Sequence, residues 1–245
     1  RFVNAGDVME YEVRNVGEAA VLVVFGHTIS PHIQRKIQSL SEYTEAHPFE
    51  GFEECVASYT GLTVYYNPWK VFEAFPDKRP GDSMREKMTS YIRQAEMVKP
   101  SLPRQVEIPV CYGGVYGPDL PHVAEFHHMT EEEVVKIHTS PEYLVYMLGF
   151  CPGFPYMGGM DKRIATPRRA SPRLAIPAGS IGIAGEQTGG YPLSTPGGWQ
   201  LIGRTPVDMF RPHNQAEPTL LKAGDHVHFR AVTEEEYKEI RGEKS

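Results

Sequence analysis

The stretch from Gly149 to Arg204 constrains this chain more than any other: GFCPGFPYMGGMDKRIATPRRASPRLAIPAGSIGIAGEQTGGYPLSTPGGWQLIGR. It is too rich in proline and glycine for a helix, since proline lacks the N–H that a helix interior uses and glycine loses the most backbone freedom. A structureless loop of that length is equally foreign to a compact domain. What remains are short apolar pieces, Leu174 to Ile176, Ile181 to Ala184 and Trp199 to Ile202, each bounded by Gly or Pro. These read as strands of a tightly turned β-structure.

The charge of this region departs from that of the chain around it. From Arg163 to Leu221 there is no lysine, while Arg163, Arg168, Arg169, Arg173, Arg204 and Arg211 face only Glu186, Asp208 and Glu217. The whole chain carries a formal charge of −6. Arginine without lysine suits fork-shaped recognition of a carboxylate or phosphate, because a guanidinium binds two oxygens at once and stays charged. Arg173 and Arg204 are the leading ligand-binding candidates, and bonding to turn carbonyls and surface acids is the alternative use for such side chains.

With 245 residues the chain suits one large domain or two small ones, and the net acidity argues against non-specific nucleic-acid binding. No apolar run approaches a membrane span, the longest being Ala19 to Phe25. The opening RFVNAGDV lacks the pattern of a secretory signal, and regular alternation starts only after Met9. The three cysteines, Cys55, Cys111 and Cys151, are widely spaced and outside any C-x-x-C, which fits a reducing cytoplasm better than a disulfide framework.

Taken in order, Glu10 to Val16 and Ala19 to Phe25 read as two strands, followed by a helix capped by Ser30 with Pro31 at its first position and stopped by His47-Pro48. Glu53 to Tyr59 and Leu62 to Tyr66 are two more strands, and Gly81-Asp82-Ser83 starts a second helix. The expected first domain, residues 9–99, is therefore a small α+β unit with helices on one side of an antiparallel sheet. Lys99-Pro100-Ser101-Leu102-Pro103 is the expected connection. Beyond it, Arg104 to Tyr112 is a strand, Asp119 to His127 and Glu131 to His138 are short helices, and Thr130 with Glu133 forms a capping box. Tyr143 to Phe150, the central pieces, Val207 to Phe210 and His226 to Val232 supply further strands, so residues 104–233 are expected to form a closed or nearly closed barrel. The charged segment 234–245 reads as a solvated helix or frayed tail.

Several chemistries can be tested on the residues. Gly179-Ser180-Ile181-Gly182 approaches a nucleophile elbow, but the residues after Ser180 make strand or turn and not helix. Cys151 sits in a Gly/Pro corner, where a buried inert thiol is the commoner outcome. Neither spacing required for a phosphate cradle occurs among the glycines from Gly179 to Gly190. His226 and His228 share a strand face without a third ligand at metal spacing, so no metal is expected. His138 ends a helix just before the central stretch, where a general base can be placed, although a histidine there also serves simply to bond carbonyls. Gln187, Thr188, Tyr191 and Gln200 offer neutral donors and acceptors near the arginines.

Five motifs carry a resemblance: Gly149-Phe150-Cys151-Pro152-Gly153-Phe154-Pro155-Tyr156; Pro167-Arg168-Arg169 with Pro172-Arg173; Ile176-Pro177-Ala178-Gly179-Ser180; Gln187-Thr188; and the run from Pro196 to Pro206. With Tyr11-Glu12 and Gly17-Glu18-Ala19-Ala20 they make the chain resemble the allophanate hydrolase subunit 1 family, which includes the B-type subunit of 5-oxoprolinase and KipI-like proteins. The resemblance implies a cyclophilin-like barrel for the second domain. It implies a component of an ATP-dependent 5-oxoprolinase, acting with a homologous C-type protein and a third subunit to open 5-oxo-L-proline to L-glutamate. On that reading His138, Arg173 and Arg204 are catalytic candidates, and Arg168, Gln187, Thr188, Tyr191 and Gln200 are substrate-binding candidates. ATP enters as co-substrate of the complex. Two other roles exist in the family. One is KipI-like binding to a sporulation histidine kinase to block its autophosphorylation. The other is a carboxyltransferase part of urea carboxylase, for which the biotin-attachment motif is absent, Glu86-Lys87-Met88 being a poor imitation.

Overall fold

A computed structural model describes residues 11–98 and 102–242. Glu10 and Lys99 to Ser101, which belong to the expected first strand and the expected connection, lie outside the described residues, as do residues 1–9. The chain divides into two compact units, Arg1–Leu102 and Pro103–Ser245.

In the first unit, β1 (Glu12–Asn15), β2 (Ala20–Val24), β3 (Phe52–Ala57) and β4 (Gly61–Tyr66) form an antiparallel sheet in the order β1-β2-β4-β3. Helix α1 (Pro31–Ala46) begins where expected: the Ser30 side chain accepts the Ile33 N–H, and Pro31 occupies the first turn. A short helix that the sequence reading missed, α2 (Pro68–Ala74), is capped by Asn67 in the same way. Helix α3 (Pro80–Met97) completes the unit. Ile33, Ile37 and Leu40 of α1 and Met84, Met88 and Ile92 of α3 bury an apolar stripe with Val21, Val23, Leu62 and Val64 of the sheet. Helix spacing and strand alternation thus meet in one core.

The second unit is a closed barrel. Its strands are β5 (Gln105–Tyr112), β6 (Tyr143–Leu148), β7 (Pro155–Gly158), β9 (Ser180–Ala184), β10 (Gln187–Gly190), β12 (Gln200–Arg204) and β13 (His226–Val232), in the order β10-β7-β6-β13-β5-β12-β9. A two-stranded ribbon of β8 (Arg173–Ile176) and β11 (Thr195–Gly197) stands apart from it. The first and last barrel strands run parallel, with Val227 opposite Val106 and Phe229 opposite Ile108. Ile108, Val110, Val145, Met157, Ile181, Ile183, Ile202 and Phe229 pack together in the core. Helices α4 (Leu120–Phe126) and α5 (Glu131–Thr139) add Val123 and Val134 to it, α5 opening on the expected Thr130–Glu133 capping box.

Val207 to Phe210 is not a strand. Only Phe210 bridges, to Thr219, and the remainder is irregular chain. The C-terminal segment forms α6 (Glu234–Arg241), docked by the buried Tyr237 ring against Tyr116 and ended by Gly242 in the left-handed conformation. Among the described residues no helix is long and apolar enough to cross a membrane.

Two neighbouring glycines of the central stretch are packing devices. A Cβ on Gly189 would meet Phe154, Pro155 O and Trp199 at 3.0 Å, and one on Gly190 would meet the Met209 sulfur at 2.6 Å. The tightest approach in the barrel unit lies elsewhere, at Gly117, where a Cβ would fall 2.0 Å from Ile202 O and 2.7 Å from Gly113 N. Gly117→Ala is therefore expected to lose about 1–3 kcal/mol through backbone displacement. Gly114, at φ 52 with open space around it, isolates the backbone cost alone, about 1 kcal/mol on replacement by Ala. Thermal denaturation of the two variants checks the order, and equal losses would contradict it.

Candidate functional site

Residues from α4 and from the segment 167–171 line an open groove of about 450 Å³ on the barrel unit. His122 and Phe126 form one wall, Arg168 and Arg169 the other, and Gln200 of β12 contributes between them. The segment is tied down by two bonds to the barrel side: Arg169 N–H to Gly198 O at 2.7 Å and Gln200 Nε2 to Pro167 O at 2.9 Å. Of the expected site residues, Arg168 and Gln200 meet here.

Behind the wall lies a charge cluster that the sequence reading did not foresee. Asp119, buried at the start of α4, accepts two bonds from Arg173 at 2.7 and 2.8 Å, one from Arg169 at 2.8 Å and the Leu201 N–H at 2.7 Å. Burial pushes its carboxyl up, but the Arg173 bonds, the Leu201 amide and the charges of Arg173 and Arg169 outweigh that and hold it below the usual carboxylate range. One carboxylate against two guanidinium groups leaves one positive charge in excess. Arg168, exposed and without an ion pair among the described residues, adds another. The groove is therefore an anion-attracting surface, as the arginine-without-lysine composition implies. Arg173 itself is locked: both of its terminal nitrogens are spent on Asp119.

The other expected residues are placed apart from the groove wall. His138 is fully buried in the barrel core, stacked on Phe229 at 4.8 Å. The Thr188 hydroxyl donates to Gly182 O at 3.0 Å, so His138 Nε2–H donates to Thr188 Oγ1 at 2.9 Å, and Nδ1 accepts the Tyr112 hydroxyl at 2.8 Å. Burial lowers the His138 pKa to about 3. The expected general base is thus a neutral, doubly bonded core residue, closed to solvent. Arg204 lies over the Tyr116 ring at 5.8 Å, with its Nε buried and unpartnered among the described residues. Gln187 is half-buried, opposite Ala184.

Tyr191 belongs to an aromatic cluster with Phe154, Tyr156 and Trp199, all edge to face at 5.0–6.4 Å. Burial pushes its phenol up to about 12, while a Trp199 backbone bond and the Arg168 charge act the other way, so Arg168 is felt from both the groove and this cluster. Phe150 caps the cluster from outside. It is 62 % exposed and held at φ 67 by a three-residue turn closed by Cys151 N–H to Gly149 O at 2.8 Å. A bulky side chain in that backbone region is strained. Its glycine-rich neighbourhood was the only trace of it in the sequence.

A family model for the carboxyltransferase domain, subdomain C and D, matches residues 11–221. The chain belongs to this family. Within it, the chain is 46% identical over 239 residues to the B-type subunit of the 5-oxoprolinase of Bacillus subtilis, covering 97% of this chain and 99% of that one. It is 41% identical over 214 residues to the corresponding 5-oxoprolinase subunit of Haemophilus influenzae, covering 87% and 94%. A crystal structure of TTHA0988 superposes with a TM-score of 0.72 at 33% identity, covering 90% of this chain and 40% of that chain. The family resemblance read from the motifs of the central stretch is borne out, and so is the closed barrel expected from its short strands.

Proposed function

We propose that this chain is the B-type subunit of an ATP-dependent 5-oxoprolinase, opening 5-oxo-L-proline to L-glutamate together with partner subunits. The observation that carries the reading is the 46% identity to the Bacillus subtilis 5-oxoprolinase subunit, which runs over nearly the whole of both chains. The groove supports it from the chemical side: a small carboxylate-bearing amide needs a positive surface and a neutral polar contact, and Arg168 and Gln200 supply them. A lactam is a poor electrophile, and transfer of a phosphoryl group to its oxygen makes the ring carbon open to water. That step belongs to the assembled complex.

In this proposal Arg168 and Gln200 contact substrate, and Arg173 acts through Asp119 as a positioning residue. His138 and Thr188 stiffen the barrel, while Tyr191 supports the Arg168 side of the groove. Arg204 and Gln187 stand outside it and are given no substrate contact. The partners are a homologous C-type protein and a third 5-oxoprolinase subunit. TTHA0988 holds this fold in 40% of its chain, so there the same unit is joined to further polypeptide. The free Cys55, Cys111 and Cys151 fit a reducing cytoplasm.

Co-expression with the neighbouring subunits tests the reading. ATP hydrolysis dependent on 5-oxo-L-proline is expected to fall to background when this chain is omitted. An unchanged rate without it would refute the assignment.

A further inference from the structure

Gln200 is 3% exposed, and the two polar atoms of its side chain fare differently. Nε2 donates to the Pro167 carbonyl, whereas Oε1 is buried with no partner among the described residues. Buried amide oxygens are rarely left in that state. Pro167 offers a carbonyl but, having no N–H, cannot complete a second bond. Half of a carboxamide pair is therefore filled by the protein's own backbone, and the missing half is an N–H donor. Beside it runs the exposed guanidinium of Arg168, and the groove of about 450 Å³ is within the roughly 300–1,000 Å³ of small-molecule sites.

A primary carboxamide pairs edge to edge with any group that presents a carbonyl and an N–H side by side, as glutamine does with adenine, forming two parallel bonds. Ordinary peptide groups are trans and show the two on opposite edges. A small lactam ring locks its amide cis and shows them on one edge.

We propose that Gln200 reads the cis-amide edge of a lactam carboxylate in this groove. The lactam carbonyl replaces Pro167 O on Nε2, the ring N–H donates to Oε1, and Arg168 pairs with the ring carboxylate. Pro167 and Arg168 are both exposed residues, and the bond between Gln200 and the Pro167 carbonyl is only part-buried, so water takes over that carbonyl when it is displaced. Arg169, fixed on Asp119, keeps the segment in place while this happens. The choice of 5-oxo-L-proline as the lactam rests on the proposed function; the pairing itself rests on Gln200.

Calorimetric titration of the full chain, without other subunits, separates the contributions. 5-Oxo-L-proline is expected to bind saturably. N-methyl-5-oxo-L-proline, which has no N–H, and cyclopentanecarboxylate, which has no amide, are each expected to bind about tenfold or more weakly, the loss of one to two buried hydrogen bonds. Gln200→Leu is expected to erase the difference between the three, and Arg168→Ala to weaken all of them alike. Far-UV circular dichroism checks that the variants fold, and the ligand series on the unaltered chain decides the matter if Gln200→Leu does not. Equal affinity for the three compounds, or no binding of any, overturns the inference. A chain that binds none of them while its omission abolishes turnover loses only this inference. One that binds the lactam while turnover survives its omission loses only the functional reading.

Discussion

Replacing Asp119 by alanine is expected to cost about 3–5 kcal/mol, the usual result of breaking a buried ion pair from one side. The variant leaves two arginines facing each other across a vacated pocket and the Leu201 N–H without its acceptor. Against a net stability of about 5–15 kcal/mol for a domain, that loss is a large part of the total. Asn at the same position keeps an acceptor for Leu201 and removes the charge, so an intermediate loss of about 1.5–3 kcal/mol is expected. Urea denaturation of a Trp69→Phe background, followed by the fluorescence of Trp199, which is buried in the same unit as Asp119, measures both. Because the Asp119 pKa is depressed in the folded chain, its contribution is present above the unfolded value of about 3.9 and is lost as pH falls through the folded one. A loss under about 1 kcal/mol for Asp119→Ala would show that the cluster is no more than a surface network. Arg173→Met in the Asp119→Ala background removes the stranded charge, and partial recovery of stability is the expected sign of coupling.

The role of Asp119 is not legible in the sequence. As a lone acid before Leu120-Pro121 it looks like a helix start, and its partners lie 50 and 54 residues further along the chain. Nothing local encodes such a pair. By contrast, α1 and α5 were legible from the first turn, because Ser30-Pro31 and Thr130 with Glu133 act through bonds to their own neighbours. Strand β10 was not, since Gln187-Thr188-Gly189-Gly190 has no strand composition; its glycines are set by the space that Phe154, Trp199 and Met209 occupy. For Val207 to Phe210 the apolar content misled, because Met209 is buried as packing for Gly190 and not as a rung of a sheet. The arginine-rich, lysine-free stretch supplies Arg168 and Arg169 of the groove and Arg173 of the charge cluster behind it. Which arginine is free and which is locked depends on one distant carboxylate, so Arg168 and Arg173 exchange the weights that composition alone would give them.

His138 gives the other large effect, and it is set by pH. In the unfolded chain a histidine takes up its proton near pH 6.5, whereas in the barrel burial keeps the ring neutral down to about 3. Between these values the unfolded state binds one more proton than the folded one, so stability falls as pH falls, by about 1.4 kcal/mol per unit. From pH 7 to pH 5 the chain is expected to lose about 2 kcal/mol from this group alone. His138→Gln removes the titration while leaving an amide for Thr188 and Tyr112, so its stability profile over that window is expected to be flatter by the same amount. His138→Ala is expected to cost about 3–5 kcal/mol at pH 7, from the cavity against Phe229, the stranded Tyr112 hydroxyl and the bond lost at Thr188. Denaturant titrations at pH 7, 6 and 5 distinguish this from a surface role, and parallel profiles for the native chain and His138→Gln would rule out the buried neutral ring. The geometry agrees with a structural role: the ring is buried on Phe229 and spends both nitrogens on Tyr112 and Thr188 inside the barrel.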